Sequence, residues 1–107
     1  MFPKKNRADK KTIEKIFKEG KFVNSPNLTL KFIKTFNNKK QISFITPKTL
    51  SKKSVVRNSL RRRGYIILKK YFNTFPAGFF GVFIFRKRQD NILILENEIK
   101  SILNKIN

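Results

Sequence analysis

The segment Phe79-Phe80-Gly81-Val82-Phe83-Ile84-Phe85 is apolar at both alternating sets of positions. A strand with two apolar faces must be covered on both, so this one belongs in the middle of a sheet. The rest of the chain supplies the elements to surround it. Residues 9–19 read as a helix, with Asp9 as N-cap, an apolar stripe of Ile13, Ile16 and Phe17, and Gly20 closing it. From Leu28 to Phe36, Leu28, Leu30 and Phe32 alternate with Thr29, Lys31 and Ile33, which predicts a strand. Asn37-Asn38-Lys39-Lys40 supplies turn residues, and Gln41 to Thr46 reads as the strand that completes a hairpin with it. Lys21 to Asn24 adds a short edge strand, limited by Pro26.

A second helix follows the loop 47–51 and runs to about Asn73. Ser51 or Ser54 caps it, and Val56, Leu60, Ile67, Leu68 and Tyr71 form its apolar side. Gly64 interrupts that side at a cost of about 1 kcal/mol relative to Ala, which a close packing contact would explain. Asp90 or Asn91 opens a last helix whose apolar face is Ile92, Leu95, Ile99, Ile102, Leu103 and Ile106. The run Ile92 to Leu95 reads equally well as extended chain. The order α-β-β-β-α-β-α, without repeats or linkers, predicts an α+β protein, a two-layer α-β sandwich, in one domain spanning residues 1–107.

Such a core would sit inside a strongly cationic shell. Against 26 Lys and Arg stand only 6 Asp and Glu, a formal net charge of +20, and twelve Phe argue that the chain folds rather than serving as a basic tail. Cysteine and histidine are absent, so disulfides, thiolate metal sites and His-based catalysis are excluded. The acids are Asp9, Glu14, Glu19, Asp90, Glu96 and Glu98, and no Mg²⁺ cluster or nucleophile–base pair can be assembled from them. Neither a catalytic residue nor a protein metal site is therefore expected. The N-terminus lacks an apolar signal core and no run approaches about 18 apolar residues, which makes a cytoplasmic location the expectation.

The seventy residues between Glu19 and Asp90 contain no acid, and their densest part is Val55-Val56-Arg57-Asn58-Ser59-Leu60-Arg61-Arg62-Arg63. Guanidinium groups match phosphate oxygens in pairs and stay charged at any physiological pH. On a helix, Arg57 and Arg61 flank the apolar stripe while Asn58, Arg62 and Lys69 face solvent. Lys48, Lys52 and Lys53 extend the charge into the preceding loop. Asn58 can donate and accept toward a 2′-hydroxyl or a base edge. The pattern points to RNA. Single strands also require aromatic platforms in a basic groove, for which Phe17, Phe32 and Phe44 come into question; each could instead be core.

Thr46-Pro47-Lys48, then Lys52-Lys53-Ser54-Val55-Val56-Arg57-Asn58 and Leu60-Arg61-Arg62, resembles the signature of the bacterial ribonuclease P protein component. Asn6-Arg7 before the first helix, Ile16-Phe17-Lys18-Glu19-Gly20 at its end and Phe85-Arg86 closing the last strand are similar to that family's layout. The resemblance implies a left-handed βαβ crossover, which the general right-handed rule would not suggest. It implies a large catalytic RNA partner that removes the 5′ leader of precursor tRNA with Mg²⁺, the protein itself binding no metal and no small-molecule substrate. Lys48, Lys52, Lys53, Arg57, Asn58, Arg61, Arg62 and Arg63 would then meet the catalytic RNA, and Ile13, Phe17 and Lys31 would line a leader cleft. Tyr65, Ser59 and Thr49 stand where that family more often has basic residues. Two other classes compete: a ribosomal or general RNA-binding structural protein without a nuclease role, and a basic amphipathic protein of the membrane surface.

Overall fold

The doubly apolar segment is indeed an inner strand. In a computed structural model describing residues 2–106, those residues form three α-helices and one four-stranded sheet. In chain order these are α1 (Lys10–Glu19), β1 (Lys21–Asn24), β2 (Leu28–Lys34), β3 (Gln41–Ile45), α2 (Ser54–Tyr71), β4 (Phe79–Phe85) and α3 (Ile92–Ile106). The sheet order is β1-β2-β4-β3. β2 runs antiparallel to β4, with Leu28 opposite Phe85 and Lys34 opposite Phe79. β3 runs parallel to β4, with Gln41 beside Phe80 and Ile45 beside Ile84.

The expected hairpin between β2 and β3 therefore does not form, because β4 lies between them. At an edge, the most apolar strand of the chain would leave one row of its backbone groups without strand partners. The connection from β2 to β3 instead straddles the start of β4. Thr35 N–H donates to the Gly78 carbonyl at 2.9 Å, and Gly78 N–H donates to the Lys39 carbonyl at 2.9 Å. Gly78 has φ +79°, and a Cβ there would lie 2.1 Å from the Thr35 carbonyl oxygen. Only glycine fits that saddle.

One sheet face carries Leu28, Leu30, Phe32, Ile42, Phe44, Phe79, Phe83 and Phe85 against the apolar sides of α2 and α3. Gly64 has its explanation here: a Cβ would meet the Phe44 ring at 2.7 Å. That ring also stacks on Phe83, with centroids 5.0 Å apart. The opposite face belongs to α1. Ser43, which alternates with Ile42 and Phe44, accepts from Ala8 N–H at 2.8 Å and donates to the Ala8 carbonyl at 3.2 Å. From there α1 crosses the sheet toward β1, with Ile16 fully buried beneath it.

The helix starts divide according to whether a side chain does the capping. Asp9 accepts from Thr12 N–H at 2.8 Å, as its sequence position predicts. That bond is the main reason its carboxyl is held below the ordinary aspartate range. For α2 the N-cap is Lys53, without a side-chain bond; Ser51, two residues too early, accepts through Oγ from Lys53 N–H, and Ser54 is already helical. Asn91 opens α3 by accepting from Leu93 N–H at 2.9 Å, and Ile92 to Leu95 are helical. Glu98 is buried on α3, where it accepts from Ser25 Oγ, from Asn27 N–H at 2.8 Å and from Asn27 Nδ2 at 2.6 Å. Three donors satisfy the carboxylate and tie the β1–β2 turn to the last helix.

Candidate nucleic-acid interface

Along α2, Asn58, Arg61, Arg62, Tyr65, Ile66 and Lys69 recur at helical spacing on one flank, beside the core-facing Leu60, Gly64 and Leu68. They line a hollow of about 440 Å³ together with Phe2 and Arg7 from the N-terminal segment. The Arg61 guanidinium donates to the Asn58 side-chain oxygen. Phe2 stacks on Tyr65 with centroids 5.4 Å apart, and the Arg7 guanidinium sits 4.9 Å from the Tyr65 ring. Tyr65 OH accepts from Phe44 N–H at 3.0 Å, so this tyrosine joins the groove to the sheet. Arg7, Arg61, Arg62 and Lys69 thus converge with no carboxylate among the described lining residues. Arg7 lies some fifty residues upstream, and it is brought here by the packing of Phe2 against Tyr65 and by the Ala8–Ser43 bonds that pin the next residue to the sheet.

The remaining basic residues take other places. Arg57 Nη1 donates to the Ser51 carbonyl at 2.8 Å and so fastens the loop that presents Lys52 and Lys53. Lys48, Lys52 and Lys53 are exposed. Arg63 falls on the other flank of α2, where it pairs with Asp90 at 3.3 Å. Asp90 also pairs with Arg88 at 3.3 Å. Lys40 is drawn over the Phe72 ring and onto the Phe75 carbonyl, and burial pulls its pKa below the usual lysine range.

A second surface lies where α1 crosses the sheet. Phe17 is 43% exposed, and Lys31 Nζ lies 5.0 Å from its ring centroid. Ile13, one turn earlier on the same flank of α1, is half-buried. Phe22 on β1 is directly opposite Lys31 in the antiparallel ladder and is 63% exposed. Directly opposed residues point to the same face, so Phe17, Lys31 and Phe22 share one open surface. Sequence reasoning overlooked Phe22; the register of β1 on β2 was the signal that could have found it. Phe32 and Phe44, considered above as exposed platforms, are buried at 8% and 4% exposure and belong to the core.

Among the described residues no group of three or more acids is close enough together to hold a metal ion. No described helix is long and apolar enough to cross a membrane. The family model for ribonuclease P matches residues 2–107. The chain belongs to the ribonuclease P protein family. Membership carries the role of a ribonuclease P subunit in tRNA processing. Solved structures of the family have the same fold. The RNase P protein from Thermotoga maritima superposes with a TM-score of 0.82 at 22% identity, over 94% of this chain and 97% of that one. The Staphylococcus aureus RNase P protein gives 0.79 at 15% identity, over 98% and 97%. The chain has no sequence match among curated proteins.

Proposed function

We propose that this subunit holds a catalytic RNA through the α2 flank and the 5′ leader of precursor tRNA through the α1 cleft. Removal of the leader would then be RNA chemistry, carried out in the cytoplasm. The observation that carries the reading is the convergence of Arg7, Arg61, Arg62 and Lys69 around Asn58. Planar guanidinium forks bind phosphate oxygens in pairs, while an amide reads a 2′-hydroxyl or base edge. Lys48, Lys52, Lys53 and Arg57 extend the contact along the loop, and Arg63 adds charge on the far flank. In the cleft, Phe17 offers a stacking face, Lys31 a phosphate partner and Ile13 an apolar wall for an unpaired strand.

The protein's scattered acids do not fit a Mg²⁺ site. The RNA would hold the ion, with the protein offsetting phosphate repulsion around it. Reconstitution with a bacterial ribonuclease P RNA tests this assignment. The isolated protein should cut nothing, while its addition should lower the Mg²⁺ concentration at which the RNA cleaves precursor tRNA. Cleavage at the normal site by protein alone, or an unchanged Mg²⁺ requirement, would overturn it.

A further inference from the structure

α1 divides the sheet face into two troughs. Ile16 is buried directly beneath the helix, and the Ile13–Phe17 flank overlooks Lys31. Thr12, Lys15 and Glu19, at intervals of three and four, occupy the other flank. On that side two adjoining hollows of about 480 and 220 Å³ share Lys15, Ile33 and Thr35. They form a single trough floored by Ile33 and Phe80. The larger hollow wraps the edge of β2 beyond Lys21: Lys15 of α1 lines it on this face, while Lys21 and Lys34, opposite Phe32 and Phe79, and Lys105 of α3 line it from the α2–α3 face. Glu19 is the one carboxylate among the described lining residues.

At the rim, Phe36 stands between Thr35 and Asn37 with its side chain fully exposed, at 108%. Its loop is well tied down. Thr35 N–H and Oγ1 donate to the Gly78 carbonyl, at 2.9 and 3.2 Å. Asn37 N–H donates to Thr35 Oγ1 at 3.1 Å, and Lys39 N–H donates to Asn37 Oδ1 at 2.9 Å. A hydrogen-bonded loop therefore holds a large apolar ring in water, between two residues that line the cationic trough. No neighbouring side chain covers that ring, so its ordered exposure is explained by a partner with a flat apolar face. Nucleobases supply such a face, and the phosphates that accompany them match the lysines.

We infer that this second trough binds single-stranded RNA, with one unpaired base stacked on Phe36 and phosphates on Lys15, Lys21 and Lys105. The inference builds on the RNA-binding role proposed above but concerns a different face, and its test separates the two. The probe is a fluorescently labelled oligouridylate of about twelve nucleotides, within the usual reach of single-strand sites, titrated against the full chain at several salt concentrations. Lys34 is left intact because its Nζ donates to the Ile106 carbonyl at 3.1 Å and so closes the end of α3.

For K15Q/K21Q/K105Q, affinity should fall about tenfold, and the log–log salt slope should become shallower by about two, at roughly 0.7 per phosphate lost. F36A should weaken binding about fivefold with the slope unchanged, the signature of a lost stack. The comparison variant K11Q/K18Q/K100Q removes equal charge from exposed positions outside the trough and should change affinity less than twofold. Equal losses in both triple variants, or no loss in F36A, would overturn the inference. Affinity of the trough variants for the catalytic RNA should stay within twofold of wild type. A failure confined to that measurement would count against the division into separate faces, while failure of the reconstitution alone would strike the proposed function.

Discussion

The α2 flank and the α1 cleft both present positive charge to solvent, but they are assembled in different ways. Asn58, Arg61, Arg62 and Lys69 come from one helix, so ordinary helical spacing sets their relative positions before any tertiary contact forms. Phe17, Lys31 and Phe22 come from three elements, and their meeting depends on how α1 crosses β2 and how β1 pairs with it. The α2 part of the first surface should therefore tolerate small shifts in packing, since its geometry is local, whereas Arg7 is added to it by tertiary packing. The second should be sensitive to anything that moves α1 against the sheet. Their chemistry differs accordingly: guanidinium density suits a phosphate backbone, while an exposed ring beside a single ammonium suits an unpaired base.

The most direct way to break this contrast is to remove the guanidinium pair. R61A/R62A should lose about 3 kcal/mol of catalytic-RNA affinity, taking charged hydrogen bonds at the low end of their range. Its salt slope should also become shallower by about two. Filter binding over a salt series measures both; an unchanged slope would mean that neither arginine touches phosphate. The next effect is on stability. G64A drives a methyl group into the Phe44 ring and should cost about 1–3 kcal/mol in urea unfolding, as overpacked cores do. If the locally built flank needs only an intact α2, catalytic-RNA affinity should survive in the folded fraction of G64A.

F17A should lower the preference for precursor over mature tRNA by about 1 kcal/mol, the lower end for one stacked base, and leave the thermal midpoint nearly unchanged. A large drop in that midpoint without any change in preference would make Phe17 a packing residue and remove the cleft from the comparison. The smallest effect concerns pH. Asp9 and Glu96 are held below their ordinary values, chiefly by the Thr12 N–H and the Tyr71 hydroxyl respectively. Both carboxylates bind protons less readily in the native state than in the unfolded chain. Their contribution is full above the ordinary carboxylate range and fades as pH falls through the lowered native values. A D9N/E96Q variant should therefore follow a flatter stability curve than wild type on the acid side and parallel it near neutrality. Equal slopes in acid would show that neither bond persists in solution.

Much of the architecture could be read in advance, for identifiable reasons. The α1 boundaries follow from Asp9 and Gly20, because capping is a matter of neighbours along the chain. The limits of β4 coincide with its doubly apolar run, and its inner position follows from the need to cover both faces. The hairpin expectation failed because turn residues report that a chain reverses, not which strand it pairs with afterwards. Ser51 and Ser54 both look like caps in sequence, yet the loop geometry fastened by Arg57 gives the position to Lys53.

At the sites, the sequence by itself determined the excess of positive charge and the peak of its arginine density on one helix, since both are properties of residue type and spacing. Which aromatic rings stay in water was decided only by tertiary structure. Phe17, Phe22 and Phe36 have the same side chain as Phe32 and Phe44, but the second pair is closed over by α2 and α3 and the first three are not. The division of cations was likewise left to packing, with Arg7 joining the groove and Arg63 turning to Asp90. Burial and convergence are sums over neighbours distant in the chain, and those neighbours exist only once the sheet has chosen its order.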